Sequence, residues 1–164
     1  MASPANETVV YPFTAFRFAV TISVPDVADA LCNASFAECD GLEMTMDVKT
    51  IREGGNNAAQ IRLLGAVNYG TLTLKRGMTA NFDLWNWFES LYEAAEPDQP
   101  PKPITRANVT VTVFAADGIK ENVKFFLERC LPLKLKAPPL NAKDGIVAIE
   151  ELQLAYEWLS RVRN

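Results

Sequence analysis

Histidine is absent from this sequence of 164 residues. Its absence excludes the serine–histidine and cysteine–histidine pairs of many hydrolases, and it removes the commonest zinc ligand. The three cysteines, Cys32, Cys39 and Cys130, form no CxxC spacing. An odd number of cysteines without that spacing argues against a disulfide framework or a zinc site. We therefore expect reduced thiols, some of them buried, and no metal or other cofactor.

Long apolar runs are also missing, and no stretch approaches the roughly 20 residues that a membrane-spanning helix requires. The first seven residues contain neither a basic nor an apolar segment, so we expect no secretory signal and no membrane anchor. The formal charge is −4, from 16 basic and 20 acidic residues. An acidic balance argues against a protein that binds nucleic acid, whether generally or by sequence. The length fits a single domain over residues 1–164.

Alternation of apolar and polar residues is the main pattern in the sequence, and it is typical of strands with one buried face. The glycine and asparagine pairs at 54–57 interrupt it and mark the tip of a hairpin. Asp117-Gly118 predicts a second hairpin turn, because glycine accepts a positive φ. The predicted strands cover residues 16–24, 35–40, 44–49, 60–63, 68–75, 109–113, 122–128 and 131–136.

One segment changes to a helical period and predicts a helix over about residues 81–95. We expect its apolar face to pack on the core, and Thr79 or Asn81 to cap its start. Residues 148–158 fit a strand and a helix equally well on periodicity alone. The fold class is therefore mainly β, with seven or eight antiparallel strands and one flanking helix. The helix residues assigned to the core are Phe82, Trp85, Phe88, Leu91 and Tyr92.

Catalytic chemistry requires converging polar groups, and the sequence offers one adjacent pair of carboxylates, Glu150 and Glu151. In a strand these two side chains point to opposite faces, so they cannot act together on one substrate. We interpret both as solvated or interface charges. The sequence therefore predicts a protein that is not an enzyme.

Charge is distributed along the chain in blocks of alternating sign. The formal charges are −5 for residues 1–50, +3 for 51–76, −5 for 77–101, +5 for 102–143 and −2 for 144–164, which sum to −4. Opposed blocks suit a subunit whose one face meets a different face of its own copy. A random distribution of surface charge explains them equally well.

Five segments together resemble one known family, the inner tube proteins of contractile phage tails and extracellular contractile injection systems. The resemblance extends from about residue 12 to residue 159. It is densest at FAECDGLEM (36–44), TIREGGNN (50–57), LKRGMT (74–79), WNWF (85–88) and AIEELQLA (148–155).

The resemblance implies a barrel- or sandwich-like tail-tube fold in which residues 148–158 form a strand. It implies that six copies form a ring and that rings stack into a hollow conduit inside a contractile sheath. The implied partners are further copies of the chain, the sheath protein, a baseplate hub or spike, a tail terminator cap, and a toxin or DNA cargo in the lumen. The protein would be made in a bacterial cytoplasm and assembled into a phage tail or a phage-tail-like particle.

Three groups of residues become candidate sites. The resemblance assigns contacts between subunits and rings to the hairpin tip at Ile51, Arg52, Glu53, Gly54, Gly55, Asn56 and Asn57. Because they alternate with apolar positions, the candidates for the lumen are Thr45, Asp47, Lys49, Thr71, Thr73 and Lys75. The acidic helix would face a basic sheath surface through Asp83, Glu89 and Glu93.

A rival hypothesis is a monomeric β-barrel that binds a small ligand. It requires a closed barrel of eight strands with an apolar pocket. The two hypotheses differ in whether the sheet is completed within one chain or between copies.

Overall fold

The computed structural model describes residues 14–25, 30–52, 60–94, 105–143 and 145–163. These residues form ten strands and one helix, which confirms the mainly β class. The elements are β1 (Phe18–Ser23), β2 (Cys32–Ala34), β3 (Glu38–Asp40), β4 (Met44–Ile51), β5 (Ile61–Tyr69), β6 (Thr71–Gly77), α1 (Asp83–Ala94), β7 (Ala107–Phe114), β8 (Glu121–Lys136), β9 (Ile149–Ala155) and β10 (Trp158–Arg163).

Strand β8 belongs to two antiparallel sheets. Up to Cys130 it pairs with β7 and β10, and residues 131–136 pair with β9. The first sheet therefore has the order β2-β1-β7-β8-β10, and the second has the order β8-β9-β6-β3. The β4–β5 hairpin is a separate two-stranded sheet.

The sequence predicted two strands where β8 runs without a break, and this prediction was wrong. Arg129 has a φ of +57°, which bends the strand where it passes from one sheet to the other. Leu127 and Cys130 are both buried although they are three residues apart, so the alternation changes phase at the bend. A change of phase within one strand looks like a strand end in the sequence.

A second misplaced boundary lies at Gly70, inside the predicted strand 68–75. β5 ends at Tyr69 and β6 begins at Thr71, in a different sheet. The N–H group of Gly70 donates to the carbonyl oxygen of Glu43 at 3.2 Å. The chain between β5 and β6 is therefore held to the residue that precedes β4.

The core lies between the two sheets and follows the alternation along each strand. In β1, β6 and β9 the buried residues alternate with half-buried ones. The largest fully buried side chains on strands are Ile22, Leu72, Leu74, Leu127, Leu152 and Leu154. The ambiguous segment 148–158 is strand, and Asp117-Gly118 forms the predicted turn, with Gly118 at a φ of +74°.

Helix α1 buries a face that only partly overlaps the predicted one. Of the predicted core residues, Leu91 packs against the core, and Trp85 and Phe88 are half-buried. Phe82 and Tyr92 are 66% and 68% exposed, whereas Leu84 and Trp87 are almost completely buried. The indole N–H of Trp87 donates to the carbonyl oxygen of Thr105 at 3.1 Å, which joins the helix to the chain entering β7. The segment carries two apolar stripes, and periodicity alone does not show which one meets the core.

The start of the helix explains part of that error. Asn81 accepts a hydrogen bond from the N–H group of Asp83 at 2.7 Å through its Oδ1 atom, so Asn81 caps the helix as predicted. The helix begins at Asp83, so Phe82 lies just before it and does not continue its apolar face.

Candidate assembly interface

The β4–β5 hairpin is exposed on both of its faces. All eight residues of β4 are exposed, and most of β5 is as well. Pairing Met46 with Val67 and Val48 with Leu64 makes one face largely apolar. Leu64 is 79% exposed at the centre of that face. A chain that functioned alone would leave this surface in water.

The opposite face of the hairpin is polar near its base. The side-chain amide of Asn68 donates to Asp47 Oδ2 at 3.1 Å, and the hydroxyl of Thr45 donates to the carbonyl oxygen of Asn68 at 3.4 Å. Thr45, Asp47 and Lys49 thus share one face, as the alternation predicted.

Tyr156 holds the base of the hairpin. Its buried hydroxyl lies 2.8 Å from the carbonyl oxygens of both Gly41 and Glu43, and it accepts a hydrogen bond from the N–H group of Glu43 at 3.2 Å. Burial raises the pKa of Tyr156, so the hydroxyl keeps its proton. Gly41 has a φ of +91°, and a Cβ atom there would lie 2.0 Å from the carbonyl oxygen of Thr71. Glycine is therefore required where the hairpin leaves the body.

The far end of the hairpin contains the candidate contact residues. Ile51 pairs with Ile61 and is exposed, and Arg52 follows it, also exposed. The remaining candidates, Glu53, Gly54, Gly55, Asn56 and Asn57, lie outside the described residues.

The second sheet presents a polar outward face that contains the other lumen candidates. Thr71, Thr73 and Lys75 alternate with the buried Leu72 and Leu74. They share one face of β6, whereas Thr45, Asp47 and Lys49 lie on the hairpin.

Lys75 forms an ion pair on this outward face. Its Nζ atom lies 2.9 Å from Glu38 Oε1 on the neighbouring strand β3, and this hydrogen bond raises the pKa of Lys75. Polar contacts thus cross the sheet between β6 and β3.

Both margins of the second sheet are open within the described part of the chain. β3 pairs only with β6, and residues 131–136 of β8 pair only with β9. Pro132 lies on the open β8 margin, where a register shift follows it, in agreement with the edge or bulge that its sequence indicates. Open margins associate with other strands unless they are blocked.

The acidic candidates of helix α1 are all exposed. Glu89 and Glu93 are four residues apart and therefore lie on one face. Asp83 lies at the helix start, where its Oδ2 atom accepts a hydrogen bond from the side-chain amide of Asn81 at 2.8 Å.

Glu150 does not fit the interpretation of Glu150 and Glu151 as solvated or interface charges. It is 3% exposed and forms an ion pair with Arg76, which is 4% exposed, whereas Glu151 lies on the outward face. The two glutamates point to opposite faces, as predicted, but Glu150 is not solvated. Sequence reasoning missed Arg76, although both charges continue the buried alternation of leucines in β6 and β9.

The surroundings of Arg76 are partly polar. Its Nη1 atom donates to Cys32 Sγ at 3.2 Å, and its guanidinium lies 5.9 Å from the ring centre of Phe36. Its buried Nη2 atom has no hydrogen-bond partner among the residues that the structure describes. Arg76 also lines a surface cavity of about 480 Å³ beside Asp83 and Asn81. Cys32, Ser35 and Thr79 also line the cavity, and burial raises the pKa of the Cys32 thiol.

The cysteines are free, as predicted. Burial raises the pKa of Cys39 to about 11 and that of Cys130 to about 12, so both are protonated thiols at neutral pH. Within the described ranges, no cluster of three histidine, cysteine or acidic side chains could hold a metal ion. No helix in the described residues is long and apolar enough to span a membrane.

The sequence model of the family described as T4-like virus tail tube protein gp19 matches residues 14–160. The chain belongs to this tail tube family. The tail tube family match covers both sheets, the hairpin and the helix, and it confirms the resemblance seen in the sequence. No curated protein sequence matches the chain.

Solved structures share the fold of this tail tube protein. A chain of the anti-feeding prophage baseplate is 24% identical, with a TM-score of 0.78 over 94% of this chain and 98% of that one. A chain of the sheath–tube complex of the PVC extracellular contractile injection system is 20% identical, with a TM-score of 0.75 over 99% and 100%. A chain of the anti-feeding prophage tube-terminating cap is 19% identical, with a TM-score of 0.73 over 98% and 97%.

Proposed function

We propose that this tail tube protein is the structural subunit of the inner tube of a contractile injection particle. Six copies form a ring, rings stack into a hollow conduit inside a contractile sheath, and the conduit carries toxin protein or DNA through a target envelope. The chain supplies shape and surface to this particle and carries out no catalysis.

The observation that carries this proposal is the exposed apolar face of the β4–β5 hairpin. Contiguous apolar surface of this kind marks an interaction site, and here it lies on an element that leaves the body of the domain. Membership of the tail tube family supports another copy of the chain as the partner of that surface. A contact between different faces of identical copies closes into rings or continues as a filament. The large exposed apolar residues on the apolar face of the hairpin are Met44, Met46, Val48, Leu64 and Val67.

The rival ligand-binding barrel is not favoured. That hypothesis requires strands closed within one chain around an apolar pocket. The second sheet is instead open at both margins among the described residues, and its outward face is polar.

The polar outward face of the second sheet is the proposed wall of the conduit. Thr71, Thr73 and Lys75 would face the lumen, and Thr45, Asp47 and Lys49 would extend that wall along the hairpin. Along β6 the outward residues are polar, and a polar wall lets hydrated cargo pass without adhering. On the hairpin, the exposed Leu63 lies opposite Lys49 on the same face.

The hairpin tip, Ile51 to Asn57, is proposed to contact neighbouring subunits and the adjacent ring. The exposed carboxylates Asp83, Glu89 and Glu93 are proposed to face a basic sheath surface, so that tube and sheath separate as salt concentration rises. The solved structures that share the fold come from a baseplate, a sheath–tube complex and a terminating cap, which supports the sheath, a baseplate hub or spike and a cap as further partners. Production in a bacterial cytoplasm precedes this assembly.

The hairpin proposal is tested by placing a charge on its apolar face. Leu64→Asp with Val67→Asp should abolish tubes in negative-stain electron microscopy of protein produced with its baseplate, because the charges would be desolvated on assembly. Ile119→Asp is the control, since Ile119 is 84% exposed, close to the 79% of Leu64, but lies on the β7–β8 turn. Circular dichroism should show that all variants remain folded. Normal tubes from the double variant would refute the proposal.

A further inference from the structure

Two neighbouring surface cavities lie beside the start of helix α1, and Leu31 and Asp83 line both of them. The first, the polar cavity, has a volume of about 480 Å³, and the second, the apolar cavity, has a volume of about 300 Å³. The polar cavity is lined mainly by groups that form hydrogen bonds, which belong to Cys32, Ser35, Arg76, Thr79, Asn81 and Asp83. The apolar side chains of the second cavity are Val24, Leu31 and Trp87.

Arg76 gives the polar cavity an unsatisfied hydrogen-bond donor. The side chain is buried, with its Nε atom paired with Glu150 and its Nη1 atom donating to Cys32 Sγ. The Nη2 atom has no partner among the described residues. A buried donor without a partner costs free energy, so a ligand that brings an acceptor oxygen to Arg76 is stabilised there.

The charges around the polar cavity narrow the class of ligand. Glu150 already neutralises Arg76, and the exposed carboxylate of Asp83 leaves one net negative charge. A simple anion would therefore be repelled, and a simple cation would leave the Nη2 atom without an acceptor. A zwitterion satisfies both groups, because its anionic end accepts from Arg76 and its cationic end pairs with Asp83.

The Cys32 thiol lies within reach of both charges. Burial raises the pKa of Cys32, the charge of Arg76 lowers it, and the charge of Asp83 raises it. The cation and the carboxylate therefore act on the same small volume.

The apolar cavity adds a place for a side chain. Because it shares Leu31 and Asp83 with the polar cavity, a ligand held by its charged end can extend into it. The indole N–H of Trp87 donates to the carbonyl oxygen of Thr105 at 3.1 Å, which fixes one wall of this cavity. Burial of an apolar group against Val24 and Leu31 would add to the affinity.

We propose that the two cavities together bind one α-amino acid that has an apolar side chain. Its carboxylate accepts a hydrogen bond from Arg76, its ammonium group binds Asp83, and its side chain occupies the apolar cavity. This binding site belongs to the single chain and goes beyond the proposed tube function.

L-phenylalanine is the probe, and three analogues each lack one of its features. 3-Phenylpropanoate lacks the ammonium group, 2-phenylethylamine lacks the carboxylate, and glycine lacks the apolar side chain. Each is titrated into the full chain and followed by nitrogen–proton NMR, in which the indole N–H signal of Trp87 reports on the apolar cavity. L-phenylalanine should shift this signal and bind at least about tenfold more tightly than each analogue, because each analogue loses one contact.

Two variants test the two charged contacts separately. Asp83→Asn should weaken L-phenylalanine binding about tenfold and should not weaken 3-phenylpropanoate binding, because this analogue has no ammonium group. Arg76→Lys keeps a cation for Glu150 but removes the Nη2 donor, so it should weaken both carboxylate ligands and leave 2-phenylethylamine unaffected. If Arg76→Lys does not fold by circular dichroism, the analogues and Asp83→Asn decide.

Glu128→Gln is the matched control for Asp83→Asn. It removes the same charge from an exposed residue of β8 that lines neither cavity, and it should bind L-phenylalanine like the wild type.

Three results would overturn the proposal. The first is an unchanged Trp87 signal up to the solubility limit of L-phenylalanine, which would mean that the cavities hold water only. The second is equal affinity for L-phenylalanine and any one analogue, and the third is equal weakening of L-phenylalanine and 3-phenylpropanoate by Asp83→Asn. Each of them would leave the tube function standing, because that function is tested by assembly.

Discussion

The hydroxyl oxygen of Tyr156 lies 2.8 Å from the carbonyl oxygen of Gly41, in the segment that joins β3 to β4. Tyr156 follows β9, so this contact connects the end of one sheet strand to the base of the exposed hairpin. The direction in which the hairpin leaves the body is therefore fixed within each chain before any copy meets another. A surface held in advance in its binding geometry loses less entropy on association.

Tyr156→Phe should loosen the hairpin without unfolding the domain. The change leaves buried main-chain groups of Gly41 and Glu43 without their partner, so we expect the free energy of unfolding to fall by about 1–2 kcal/mol. Urea denaturation measures this loss, and amide hydrogen exchange should become faster in β4 and β5. Tyr92→Phe is the control, because Tyr92 is exposed on the helix. Equal stability of the two variants would contradict the assigned role of Tyr156.

The two adjacent glutamates should differ sharply when each is replaced by alanine. Glu150→Ala leaves the buried charge of Arg76 without its carboxylate, and breaking a buried ion pair in this way costs about 3–5 kcal/mol. Glu151→Ala removes an outward side chain and should change stability by no more than about 1 kcal/mol. Chemical denaturation of both variants, monitored by circular dichroism, measures the difference. A small effect of Glu150→Ala would mean that the ion pair is not buried.

The helix provides a matched pair for testing which of its faces is buried. Leu84→Ala removes a side chain that is 1% exposed and should lower the free energy of unfolding by about 2–5 kcal/mol. Phe82→Ala removes a larger but exposed side chain and should change it by less than about 0.5 kcal/mol. Thermal or urea denaturation compares the two. If the Phe82 variant proves the less stable, the apolar face predicted from the sequence would be the correct one.

Glu157 makes part of the stability dependent on pH. Its carboxylate accepts hydrogen bonds from Arg129 and Arg106, and the bond from Arg129 in particular lowers the pKa of Glu157 below its usual value of 4.5. A lowered pKa in the folded state gives stability that is present above pH 4.5 and is lost as the pH falls through the folded-state value.

Glu157→Gln should therefore be less stable than the wild type at neutral pH, and this difference should shrink as the pH drops below 4.5. Denaturation curves measured from pH 7 to pH 3 test this expectation. A constant difference across the range would show that the carboxylate charge has no part in the contact. Because the network is exposed, the effect should also weaken with added salt.

The sequence was sufficient for most strands, because a single buried face produces a regular alternation. It failed where that alternation changes phase within a strand, at Arg129, and where a continuous pattern passes between two sheets, at Gly70. β2 and β10 were not predicted as separate strands. Each is recognised as a strand by its hydrogen bonds to β1 or β8, and the local sequence does not show that pairing. Which of the two apolar stripes of the helix is buried depends on the residues that the helix packs against. Local periodicity gives no information about those residues.

The candidate surfaces were predictable to different degrees. Alternation correctly grouped Thr71, Thr73 and Lys75 on one outward face. The same alternation places Arg76 and Glu150 on the buried faces of β6 and β9. They were not assigned there because charged residues were assumed to be solvated. Pro132 indicated an edge or a bulge in β8, but which strands form the two open margins of the second sheet depends on strand pairing over long distances in the chain.

The most direct test of the account is a cryo-electron microscopy structure of the assembled protein. We expect six-fold rings whose copies meet through the apolar face of the β4–β5 hairpin, with Thr71, Thr73 and Lys75 of β6 facing the lumen. Rings that leave the apolar face of the hairpin in water, or a particle in which the chain remains a monomer, would contradict it.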